Sequence, residues 1–138
     1  MTRTSPSPRR PAWLLAVALL AGAFGLATVV SGGRVLFGPD AARAAAGRYV
    51  PFVVWFNFLA GFAYLLAAAG IALGRRWAAP LALGIASATA LAFAAFGIHV
   101  VLGGPFEPRT VAALALRTAF WGAVAFTRPE RPSSRSAA

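Results

Sequence analysis

Polar residues are so sparse along this 138-residue chain that its apolar runs dominate the pattern. Four runs are long enough to cross bilayer hydrocarbon, which takes about 20 residues of helix. The first extends from about Ala12 to Ser31 (AWLLAVALLAGAFGLATVVS) and the second from about Val50 to Leu73. The third extends from about Ala78 to Leu102, and the fourth and shortest from about Thr110 to Phe126. Gly and Pro in or beside these runs do not oppose spanning helices, because membrane helices tolerate both. The pattern predicts an all-α fold: a polytopic membrane protein built as a bundle of four transmembrane helices, one domain over 12–127. The tails at 1–11 and 128–138 are rich in Pro, Ser and Arg and read as disordered and cytoplasmic.

The connections differ in kind. Pro39-Asp40, an alanine-rich turn and Gly47 predict a short capped helix lying at the surface between the first two spans. GRRWAAP makes a short basic turn between the second and third, and GGPFEPRT a tight proline-bounded turn between the third and fourth. Small residues recur at four-residue spacing in Gly70/Gly74, Gly84/Ala88 and Ala60/Tyr64. Such spacing lets helices approach closely where lipid supplies no hydrophobic drive.

Composition supports the same picture: 59% of residues are hydrophobic, 12% are charged, and the mean hydropathy is +0.73. The net charge of +10 comes from 13 basic residues, all arginine, against three acids. In a soluble protein that excess would point to nucleic acid. Here most of the arginines flank apolar segments, where they meet lipid headgroups and set topology. The expected partner is therefore the lipid bilayer, and nucleic acid is not. With four spans, Arg3, Arg9, Arg10, Arg75, Arg76, Arg128, Arg131 and Arg135 share one side, and Arg34, Arg43, Arg48 and Arg109 the other. The excess puts both termini in the cytoplasm, as a multi-pass protein of a bacterial inner membrane. Arg9-Arg10 ahead of the first span loosely resembles a signal sequence, but the span exceeds the roughly 7–15 residues of a signal core.

The inventory narrows the chemistry. The absence of cysteine removes disulfides, thiolate metal sites and cysteine nucleophiles. The single His99 cannot supply bis-histidine haem ligation, and His99 with Glu107 is too small a set for a metal. There is no lysine for a nucleotide-binding loop, and no serine obviously placed for a triad with His99 and Glu107. The chain therefore leans away from enzymes.

What polar residues remain converge in depth. Asn57 lies seven residues into the second span and Arg117 seven residues into the fourth, both counted from the outer side. That is about 10 Å at 1.5 Å per residue. His99 lies near the outer end of the third span, Glu107 and Arg109 cap the turn above, and Tyr64 lies about two turns below Asn57. Together Asn57, Tyr64, His99, Glu107, Arg109 and Arg117 make a candidate ligand-binding set in the outer half of the bundle. Arg117 is its informative member, because an arginine near a helix centre costs about 2.5–3.5 kcal/mol on insertion scales. Either it faces inward toward Glu107, Asn57, backbone carbonyls or an anionic ligand, or it snorkels to the interface. Aromatic walls on spans two to four would also accommodate a quinone or a lipid headgroup, quinone being the one cofactor the set suggests.

The segment FNFLAGFAYLLAAAGIALGRRWAAPLALGIA, residues 56–86, resembles the second and third helices of DoxX-like small bacterial membrane proteins. Size and the count of four helices are similar as well. The resemblance implies a link to quinone oxidases or redox complexes. Where that family often carries an acidic residue near the start of its second helix, Asn57 stands here. The leading expectation is a non-enzymatic accessory or ligand-binding membrane subunit, alone, as a homo-oligomer or with a membrane protein partner. A quinone-linked redox component is the alternative, and a small oligomeric transporter a third reading.

Overall fold

The computed structural model describes residues 10–127. The tails expected to be disordered therefore lie outside the described residues, apart from Arg10 and Pro11. The described chain is all helical, with α1 Ala12–Phe37, α2 Asp40–Ala46, α3 Pro51–Ala72, α4 Ala78–Val101 and α5 Pro108–Phe126. Three of these, α1, α3 and α4, are long and apolar enough to cross a membrane.

The surface agrees with that. Leu19 is 75% exposed, Leu91 72%, and Leu20, Leu59, Ile98 and Leu116 are also turned outward. A soluble domain rarely leaves so much contiguous apolar surface in water. The interior holds alanines and glycines, a few aromatic rings and the hydroxyls of Thr28 and Thr89. The chain has the build of a membrane-spanning protein.

Local rules set the element ends. Pro51 and Pro108 open α3 and α5, where a missing N–H costs nothing. Gly47 ends α2 with φ +69° and Gly74 follows α3 with φ +62°, left-handed conformations that favour glycine. Arg10 donates from Nη1 to the Ala72 carbonyl and from Nη2 to that of Leu73 (2.6 Å), tying the start of the chain to the end of α3. The short surface helix predicted between the first two spans is α2. The first span, by contrast, does not stop at Ser31 but continues to Phe37. Gly32 and Gly33 do not break it because Phe58 fills the space beside them, 3.1 Å from where a Cβ on Gly32 would sit. Its last turn is held by Phe37, edge-on to Trp55 and Phe58.

The four long helices form a ring. α1 lies closely along α3 and α4 along α5, α3 touches α4 less extensively, and α1 meets α5 chiefly through long side chains. The close α1–α3 contact is made by Gly25 against Gly61, where the Cβ of either would fall 3.0–3.1 Å from the other's carbonyl oxygen. Of the small-residue pairs read in the sequence, Gly84/Ala88 is the one that makes no such close approach. A Cβ on Gly84 would meet no other element of the described residues within 4 Å, and Gly84 lines, with Ala88, an apolar groove of about 280 Å³ between α3 and α4. Gly70 accommodates Trp77 and Ala78 at the turn. Two buried clusters fill the ring: Tyr64, Trp121, Ile85 and small residues toward the Arg75–Arg76 turn, and Val50, Val53, Phe96 and Leu114 toward α2.

Candidate functional site

Between α1, α3 and α5, beneath α2, lies an unsealed cavity of about 350 Å³. α3 contributes Asn57 and an apolar wall of Val53 and Val54; α5 contributes Arg109, Thr110, Ala113 and Arg117; α1 contributes Ser31 and Val35. Arg109, Ala113 and Arg117 fall on one ridge of α5 because residues four apart stack on a helix face. Three residues expected together, Asn57, Arg109 and Arg117, thus share one cavity.

Arg117 faces inward. Its guanidinium lies over the Phe24 ring, 5.4 Å from the centroid, and Nη2 donates to Thr28 Oγ1 at 3.3 Å. Thr28 can accept because its own hydroxyl proton goes to the Phe24 carbonyl at 2.7 Å, the usual back-bond of a helical threonine. This leaves most of the five N–H donors of an arginine unused. Nε is buried with no hydrogen-bond partner among the described residues, and so is Asn57 Oδ1. Buried polar atoms are nearly always paired, so each orphan calls for an explanation.

The other expected members lie elsewhere. Tyr64 is fully buried beneath the cavity, its ring stacked on Phe24 at 6.0 Å and tilted against Trp121 at 4.9 Å. Its hydroxyl, like Trp121 Nε1, has no partner among the described residues. His99 turns away: Nε2 lies 3.2 Å from the Pro105 carbonyl oxygen and the ring meets Phe52 edge-on. It buttresses the turn between α4 and α5. Glu107 pairs with neither Arg117 nor Arg109. Its Oε1 accepts from the Arg48 backbone N–H at 2.8 Å and lies 3.9 Å from Arg48 Nε. Arg109 Nη2 donates to the Ala45 carbonyl at 2.8 Å. Together Glu107 and Arg109 clamp the end of α2 against the start of α5, forming the roof of the cavity.

The clamp has a measurable consequence. Glu107→Ala should cost about 1.5–3 kcal/mol, the worth of a hydrogen bond to a charged group. Hydrogen exchange should show the Arg48 amide losing protection while the long helices keep theirs. Unchanged protection at Arg48 would mean that Glu107 does not hold the loop.

Sequence reasoning missed Phe24 and Thr28. The signal was present: Ala18, Ala21, Gly25, Thr28 and Gly32 recur at alternating three- and four-residue steps and are the buried face of α1. A hydroxyl on that stripe of small residues marks the inward face. In comparisons with family models, curated proteins and solved structures, the chain matches none.

Proposed function

We propose that the protein is a non-enzymatic integral membrane protein that holds a small ligand in the cavity of Asn57, Arg109 and Arg117, as an accessory or ligand-binding subunit. In this reading α5 is the fourth span. Its 19 residues reach about 28 Å at 1.5 Å per residue, close to the thickness of bilayer hydrocarbon. Leu114 and Trp121 anchor it to the interior while Leu116 and Phe126 face out. The arginine distribution then sets both termini in the cytoplasm and the cavity in the outer half, as in a bacterial inner-membrane protein of the DoxX-like kind.

The observation that carries the reading is the pair of orphaned buried atoms, Arg117 Nε and Asn57 Oδ1, on the wall of one cavity. Helix-to-helix glue alone would satisfy them within the protein. Native mass spectrometry after gentle solubilisation tests it. The wild type should carry a stoichiometric small-molecule adduct, and Arg117→Leu should lose it while still inserting. A quinone adduct would favour the redox-linked alternative. A bare wild-type protein, with Arg117→Leu more stable and otherwise unchanged, would make Arg117 a packing residue and refute the reading.

A further inference from the structure

The chemistry of the ligand can be narrowed from the charges around the cavity, granting that the cavity is a ligand site. Two arginines, Arg109 and Arg117, line it, about 12 Å apart along α5 at 1.5 Å per residue. None of its lining residues is acidic. The described carboxylates are committed elsewhere, Asp40 to Arg43 and Glu107 to Arg48. Arg109 spends one N–H on the Ala45 carbonyl, and among the described residues Arg117 has only the Thr28 hydroxyl and the face of Phe24. A guanidinium in a low-dielectric interior is normally matched by an anion, because neutral partners recover only part of its lost hydration. The unpaired Nε belongs to the planar fork that accepts a carboxylate or phosphate through two parallel hydrogen bonds. The rest of the wall mixes neutral polar groups, Ser31, Asn57 and Thr110 among them, with an apolar strip of Val35, Val53, Val54 and Ala113.

We infer that the cavity binds the oxyanion head of an amphiphile, a carboxylate or phosphate held by Arg117 with Arg109 at the mouth and its apolar stem against the valines. Its volume of about 350 Å³ lies at the small end of ligand sites, enough for a head and the first part of a stem. The seam between α1 and α5, bridged by side chains rather than close backbone contact, is where the rest of a chain would leave toward lipid.

The test uses full-length protein in a neutral detergent, washed free of adducts and titrated with oleate, phosphatidylglycerol, phosphatidylcholine, inorganic phosphate and a short-chain ubiquinone. Binding is read by native mass spectrometry and by thermal shift. Oleate or phosphatidylglycerol should bind saturably and phosphatidylcholine, whose phosphate is neutralised by its own choline, much more weakly. Arg117→Gln should weaken binding by at least about tenfold, the loss expected for one hydrogen bond between charged groups. Arg117→Lys should keep part of it. Ala113→Leu, which fills the cavity beside an intact arginine, should also reduce it, so the test survives poor folding of Arg117→Gln. Inorganic phosphate binding with the same Arg117 dependence would support the oxyanion chemistry and place its source in solution. Binding of ubiquinone but no anion would overturn the inference while leaving a ligand cavity in place. Binding of none of the five would overturn both, and anion binding unaffected by Arg117→Lys, Arg117→Gln and Ala113→Leu would overturn the assignment to this cavity.

Discussion

Gly61→Leu is expected to unseat α1 from α3 and to cost about 3 kcal/mol, the upper range for overpacking a well-filled interior. A Cβ on Gly61 would sit 2.7 Å from Val29 Cγ2 and 3.1 Å from both the Gly25 carbonyl oxygen and the Val29 nitrogen. Two of those three atoms are backbone, so no change of rotamer relieves the clash and the helices must separate. In lipid no hydrophobic drive pushes the helices back together, because a parted helix face meets hydrocarbon as apolar as the one it left. Gly122 offers the control, since nothing lies within 4 Å of its would-be Cβ. There Gly→Ala should stabilise by up to about 1 kcal/mol through helix propensity, whereas Gly61→Ala should destabilise. Unfolding in mixed detergent micelles, followed by tryptophan fluorescence, reads both. Equal midpoints for Gly61→Leu and Gly122→Leu would show that the α1–α3 contact does not hold the bundle. Since α1 also carries Phe24 and Thr28, the unseated variant should lose any ligand held at Arg117.

The second large effect concerns Trp121, which is fully buried, tilted against Tyr64 at 4.9 Å and edge-on to Phe120 at 5.4 Å. Trp121→Ala should cost about 3–5 kcal/mol, as truncations of large buried aromatics do. It removes the ring through which α5 meets α3 and the cluster below the cavity. Trp121→Phe should behave differently. The indole Nε1 is buried without a partner among the described residues, and an unmet donor costs about 1–3 kcal/mol. Deleting the N–H while keeping a ring therefore offsets much of the lost contact, and the variant should lie within about 1 kcal/mol of wild type. Chemical denaturation of the three proteins in one detergent separates the cases. A Trp121→Phe cost close to that of Trp121→Ala would mean that the indole nitrogen makes a valuable hydrogen bond.

Helices and turns were legible in the sequence because they rest on local rules. Pro51 and Pro108 start helices and Gly47 and Gly74 follow them, each through its own backbone chemistry, with no tertiary help. The end of the first span at Ser31 was misplaced because glycine's entropic cost in a helix, about 0.5–1 kcal/mol, can be offset by tertiary packing. Phe58, distant in sequence, does the packing that carries α1 on to Phe37.

The candidate site was half legible. Equal depth of Asn57 and Arg117 follows from counting residues, and both line the cavity. Rotation about the helix axis does not follow from counting. In helices apolar on all sides, periodicity carries little about which face turns inward. His99 and Glu107 were claimed by other partners, His99 by the nearby Pro105 carbonyl and Glu107 by the sequence-distant Arg48 amide.

Helicity, the presence of apolar runs long enough to cross a membrane, and the residues that make most of the turns were legible in the sequence alone. Length, hydropathy and backbone-restricted residues are properties of short segments. Only the tertiary structure decided that Gly25 and Gly61 form the close contact, that Thr28 and Phe24 receive Arg117, and that Glu107 holds the loop instead of the arginine below it. Those outcomes depend on which helix faces meet. In a chain apolar inside and out, that choice is made by shape and by a few polar atoms seeking partners, neither of which a one-dimensional pattern records.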